Sequence, residues 1–220
     1  MSVVAQLART CSARELELEL LDPGSVTLLR LFRHPGGEWE PPPAAFRNLR
    51  VDPPVGHKED YAVLYTGDDL AAVATECLIL QAGEGDRTTW RQDKAAAYRV
   101  ARYGFLQPAL FLPIDGKNRH RLGLAGGQRP WGGYDAWQAA ALTLYQRFGR
   151  IVHGLSWESF HRNQPGRVYA LWHTHKGTID LQLTTPGDYP RLTEDAQWLA
   201  FLAAHPEIEA IDGSAGPAAS

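Results

Sequence analysis

The stretch Tyr61–Leu80, YAVLYTGDDLAAVATECLIL, constrains this chain more than any other. It opens with Ala62-Val63-Leu64-Tyr65, an apolar run of the kind that makes a buried strand. Gly67 breaks the run, and Asp68 or Asp69 can cap the helix that follows. The pattern predicts that helix over Leu70–Leu80, apolar almost all round. At about 100° per residue, Glu76 projects between Val73 and Leu80 on one side and Ala72 on the other. The only charge of the helix therefore leaves a largely apolar surface. A fully buried glutamate is costly unless it is paired or hydrogen-bonded. Two readings stand at this point: a structural ion pair at the rim of the core, or a catalytic carboxylate in a cleft with Tyr65 ending the strand beside it.

Composition narrows the classes. The chain has 220 residues, 44% of them hydrophobic and 21% charged, which is enough apolar material for a real core. That length suits one domain over residues 1–220. The net charge of −3 comes without a basic block, so no nucleic-acid surface is expected. Cys11 and Cys77 are far apart and no CxxC spacing occurs, which suits a reducing compartment. The first residues carry no apolar signal-type core and soon become acidic, and no run of about 18 apolar residues exists. A cytoplasmic protein without membrane segments is the expectation.

Around the central stretch the elements are mixed. Residues 1–22 read as a helical lead-in, with helix and strand both open where leucines alternate with glutamates. Val26–Arg33 has strand composition. The segment from His34 to Pro54 is a long Gly- and Pro-rich loop carrying Trp39, Phe46, Arg47 and Arg50, and long loops with such side chains are usually functional. Glu84–Lys94 reads as a loop, Ala95–Arg102 as a short helix and Gly104–Ile114 as an extended segment. GGQRPWGG is a Gly-rich loop without the Lys-Ser/Thr ending of a phosphate loop. Tyr134–Phe148 is an amphipathic helix stopped by Gly149. Strands are predicted in Ile151–Phe160, Arg167–His175 and Ile179–Thr184, and a helix over Thr193–His205. His173 and His175 would share one face of their strand and could hold a metal, but no third ligand is apparent. Without regular strand–helix alternation or a GxGxxG turn, the class is α+β rather than doubly wound α/β.

Four stretches taken together resemble the RES-domain family. They are Leu31-Phe32-Arg33; Arg50-Val51-Asp52-Pro53-Pro54, similar to that family's "RFNPPG"; Val63-Leu64-Tyr65-Thr66 with Ala71–Glu76; and Gly154–His161. Arg121–Leu124 and Val168–Leu171 agree with further segments of it. The likeness covers about residues 26–172, with 173–220 as a C-terminal extension. Trp157 stands where the family usually has tyrosine, and Phe160 where it often has arginine.

The resemblance implies an ADP-ribosyltransferase-like fold, with antiparallel sheets forming a cleft surrounded by helices. It implies an enzyme that consumes NAD as substrate, with no bound cofactor, by breaking the nicotinamide–ribose bond with water or phosphate as acceptor. Such an NAD glycohydrolase or NAD phosphorylase would be the toxin of a toxin–antitoxin pair, held by a helix-turn-helix antitoxin, and could form a homo-oligomer. The alternatives are transfer of ADP-ribose to a macromolecule, or an NAD-binding module without turnover. Cleavage of this bond places positive charge on the ribose, which a carboxylate stabilises. Glu76 is the candidate. Arg33 and Arg50 would grip the diphosphate through bidentate hydrogen bonds. Tyr65 would stack on the nicotinamide or bond the ribose, Ser159 would offer a hydroxyl, and His161 would contact phosphate or cap its turn.

Overall fold

The computed structural model of the chain describes residues 15–82, 87–124, 133–159 and 166–212. The predicted strand–helix unit sits at its centre. β3 (Val63–Gly67) runs into α1 (Leu70–Glu76), capped by Asp69, whose side chain accepts from the Ala72 amide. The turn between them needs Gly67: a Cβ there would lie 2.6 Å from a Val73 methyl and 2.9 Å from the Arg167 carbonyl oxygen. α1 ends at Glu76 and not at Leu80. Leu78 adopts φ 55°, and the amide of Ile79 closes the helix onto the Ala74 carbonyl at 2.8 Å. The apolar run continues past this stop because Leu80 begins a new strand.

Ahead of that unit lie β1 (Glu19–Leu21) and β2 (Leu28–Phe32). After it come β4 (Leu80–Ala82), β5 (Thr88–Arg91), α2 (Gln92–Ala97), β6 (Arg99–Phe105), β7 (Ala109–Pro113) and α3 (Gly116–Arg121). The chain continues through α4 (Asp135–Phe148), β8 (Gly154–Glu158), β9 (Arg167–Trp172), β10 (Leu181–Leu183), α5 (Ala196–Ala204) and β11 (Glu209–Ile211). Eight strands form one sheet in the order β1-β7-β8-β9-β3-β2-β6-β10, antiparallel except for β7 with β8. A second sheet has the order β11-β5-β4. The class is α+β, as the sequence predicts.

Several local expectations change. The segment read as loop and short helix, 84–102, holds a strand, a helix one register earlier and the start of β6. His173 and His175 lie in a 3-10 turn, since β9 stops at Trp172. α5 starts later than the Thr193 expected, at Ala196, and is capped by Asp195, which accepts from the Gln197 and Trp198 amides. The N-terminal residues to 14, most of the Gly-rich segment and the last eight residues lie outside the described residues. Residues beyond 172 complete both sheets: β10 pairs with β6, and β11 with β5.

Strand alternation places core on both faces of the large sheet. Val168, Ala170 and Trp172 of β9 point into a cluster built on α4, while Tyr169 and Leu171 point into another with Leu64, Phe111 and Tyr103. A third cluster joins α1, α5 and the small sheet through Val73, Ile79 and Trp198. Between β2 and β3 the ladder is a single pair, Leu29 with Gly67. Beyond that pair the two strands part, and a cavity opens between the first and third clusters.

Gly67→Ala is expected to lower unfolding free energy by about 1–3 kcal/mol, because the new methyl meets a strand backbone that cannot yield. Urea denaturation of the two proteins measures it, and an unchanged midpoint would contradict the packing described.

Candidate active site

The cavity is about 200 Å³ and mostly apolar. β2 supplies Arg30 and Leu31, β3 supplies Val63, Tyr65 and Thr66, and α1 with its cap supplies Val73, Glu76 and Cys77. The 42–52 loop closes one wall with Pro42, Phe46, Leu49, Arg50 and Asp52. Trp157, Val168, Tyr98 and Tyr134 complete the lining.

Arg30 is the cation deepest in this wall, 7% exposed. Its Nε donates to the Gly37 carbonyl at 2.8 Å and one terminal nitrogen to the Tyr65 carbonyl at 3.1 Å. That second bond spans the gap where β2 and β3 have parted. Among the described residues no carboxylate lies within salt-bridge distance of it. Burial pulls its guanidinium down from the ordinary arginine value, with Tyr103 opposing. A buried guanidinium remains charged; Asp52, which lines the same cavity, acts on it through space without an ion-pair contact. Composition and spacing gave no reason to prefer it. Arg30 and Arg33 both occur in LLRLFR, and only the pleat and the splay of β2 separate them.

Arg33 does not line the cavity. It is exposed past the end of β2, its guanidinium 5.7 Å from the centre of the Tyr98 ring. Arg50 is buried, lines the cavity and lies over the rings of Tyr134 and Trp137 at 5.8 and 5.7 Å.

Glu76 is the last residue of α1, half-buried, with Oε1 accepting from the Ser159 hydroxyl at 3.3 Å. A carboxylate at a helix C-terminus faces the negative end of the helix dipole. It stands in the cavity wall at a helix end that does not favour a negative charge. Ser159 follows β8 and touches Glu76 through this bond without itself lining the cavity. His161 lies outside the described residues.

Tyr65 lines the cavity with its ring edge-on to Trp157, centroids 6.5 Å apart. Its hydroxyl donates to Asp52 Oδ1 and accepts from the Val51 amide, both at 3.2 Å. Burial, then Asp52, pushes this phenol well above its usual range, so it keeps its proton. The hydroxyl is therefore engaged with the loop, and the ring is what faces the space. Cys77 is also a neutral thiol: burial pushes it up to about 12, against the pull of Arg30.

The two histidines of the HTH segment take part in packing. The Nε2 of His175 donates to the Gly149 carbonyl at 2.6 Å, and its ring lies 5.4 Å from that of His153. Among the described residues no three His, Cys, Asp or Glu side chains are grouped to hold a metal. No helix among those residues is long and apolar enough to cross a membrane.

No protein-family model matches the chain, and no curated protein matches it. Among solved structures, a chain of the M. tuberculosis MbcT–MbcA toxin–antitoxin complex is similar, with a TM-score of 0.47 and 16% identity. The similarity covers 83% of this chain and 89% of that one.

Burial, with Lys176 adding to it, lowers the His173 ring from 6.5 to about 3. Below pH 6.5 the unfolded chain takes up a proton there that the folded protein refuses. Stability contributed by this ring is thus whole above pH 6.5 and is lost as pH falls toward 3, by up to ~1.4 kcal/mol per pH unit. Between pH 7 and pH 5 the loss is expected to be about 1–2 kcal/mol smaller in His173→Gln than in the parent. Urea midpoints at the two pH values measure it, and equal losses in both proteins would contradict a neutral His173.

Proposed function

We propose that this protein cleaves the nicotinamide–ribose bond of NAD, as a glycohydrolase or phosphorylase, and acts as the toxin of a toxin–antitoxin pair. The observation that carries the reading is the shared cavity: Glu76 lines the same space as two buried arginines, Arg30 and Arg50. The resemblance of residues 26–172 to RES-domain proteins supports the same chemistry.

In this reading the guanidinium groups of Arg30 and Arg50 bind the diphosphate. Arg30 takes the inner position first expected of Arg33, and Arg33 stays at the rim beside Tyr98. The ring of Tyr65 stacks against the nicotinamide. As the glycosidic bond lengthens, its electrons leave with the nicotinamide nitrogen and the ribose becomes oxocarbenium-like. The Glu76 carboxylate stabilises that charge in an apolar setting where it counts for more than in water. Ser159 orients Glu76 through their hydrogen bond. Water or phosphate then attacks the ribosyl carbon from the open side. Phe46, 72% exposed, and Leu49 sit at the mouth of the cavity and offer apolar surface to an antitoxin.

Purified protein is expected to release nicotinamide from NAD, with the product mass changing when phosphate is present if phosphate is the acceptor. Glu76→Gln should lower kcat about 100-fold or more. Nicotinamide release that survives this change undiminished would remove the mechanism. Arg30→Lys should raise KM for NAD about 10-fold, because an ammonium cannot copy a two-nitrogen grip. Arg33→Ala should change it less than about 2-fold. The reverse ranking would return the anchor to Arg33.

A further inference from the structure

Asp52 has no part in the chemistry above, yet it is 3% exposed and lines the cavity. Among the described residues it has no cation at salt-bridge distance. Each of its oxygens instead accepts from a neutral donor. Oδ2 takes the Leu49 amide at 2.7 Å, and Oδ1 takes the Tyr65 hydroxyl at 3.2 Å. The backbone closes the same turn, Asp52 N–H to Leu49 carbonyl at 3.2 Å. Gln138 of α4 donates to that carbonyl at 2.9 Å. Val51 donates its amide to the Tyr65 oxygen and accepts from the Tyr61 hydroxyl at 3.0 Å. The turn 49–52 is therefore clamped on both sides of Arg50, which lines the cavity.

We propose that Asp52 is a positioning residue, whose carboxylate ties the 49–52 turn to Tyr65 and so aims Arg50 at the phosphates of the ligand. This rests on the NAD reading above. The carboxylate suits the task because it accepts at both oxygens. A protonated carboxyl, or an asparagine, can still accept from the Leu49 amide, but it meets the Tyr65 hydroxyl with a donor, so that bond has to reverse and both bonds lose their charged acceptor. Burial raises the Asp52 carboxyl from its ordinary value, the Leu49 amide and the Tyr65 hydroxyl oppose this, and so do the charges of Lys58 and Arg47. Arg30 also feels its charge, and the protonated phenols of Tyr61 and Tyr65 face it. The clamp accordingly loosens as pH falls through the range where Asp52 takes up its proton.

The test is a double-mutant cycle on nicotinamide release from NAD with D52N, R50A and the pair. D52N is expected to raise KM about 10-fold with kcat within about 3-fold, the scale of replacing hydrogen bonds to a charged acceptor by neutral ones. The double variant should be no worse than R50A, because Asp52 acts through Arg50. Parent KM should rise on acidification, while that of D52N stays level. Y65F keeps the ring and removes the hydroxyl, so it should repeat the KM rise of D52N, and it carries the test alone if D52N does not fold. Hydrogen exchange at the Leu49 and Val51 amides should quicken in D52N without any ligand. Additive D52N and R50A effects, a loss in kcat with KM unchanged, or unaltered exchange would each overturn the role of Asp52 alone. A parent protein that neither binds nor cleaves NAD would overturn the NAD reading, and the aiming of Arg50 with it.

Discussion

Between β2 and β3 the large sheet is unzipped after a single pair, and the group that bridges the gap is a charged one. Arg30 reaches across to the Tyr65 carbonyl and back to Gly37, so that two backbone acceptors hold a guanidinium out of water. Two neutral carbonyls satisfy some of its five N–H groups but not its charge. The cavity exists because these strands part there, and its wall sets two buried guanidinium groups opposite the carboxylates of Asp52 and Glu76.

Tyr65 is the node through which the arrangement is held. Its carbonyl fixes Arg30, its hydroxyl joins Asp52 and Val51, and its ring packs edge-on to Trp157. One strand residue thus ties the inner arginine to the loop that carries the outer one. The loop itself is ordered with little regular structure. The guanidinium of Arg47 donates to the carbonyls of Pro42, Lys58 and Tyr61, and Lys58 returns a bond to the Arg47 carbonyl. At the other end Lys176 lies 4.3 Å above the Trp39 ring and bonds its carbonyl, steadying the segment that presents Gly37 to Arg30. A loop pinned at this many points behaves as a wall and not as a tether.

The unit from β3 to α1 was legible because three local rules agree there: an apolar run of strand length, a glycine break and an aspartate cap. The glutamate on an apolar helix stood out for the same reason, since a local pattern makes a lone charge visible. The length of α1 was not legible. Its stop is a left-handed Leu78 with no glycine to announce it, and the residues beyond belong to a strand that needs β5 to exist. The HTH segment was misread in the same way, since strand composition continues one turn beyond the last pairing partner of β9.

The sequence determined by itself the α+β class and the strand–turn–helix at the centre, and it singled out a carboxylate, a tyrosine and a loop arginine that the structure brings to one cavity. The class and the central unit follow from local propensity and from side-chain periodicity, which a sequence carries in full; the tyrosine and the arginine were picked out by the resemblance. Only the tertiary structure decided which arginine of LLRLFR faces inward, and that the Tyr65 hydroxyl serves the loop through Asp52 and not the open space. Both depend on where β2 leaves β3 and on how a long loop folds back over the gap. Those are contacts between residues far apart in the chain, and no local pattern encodes them.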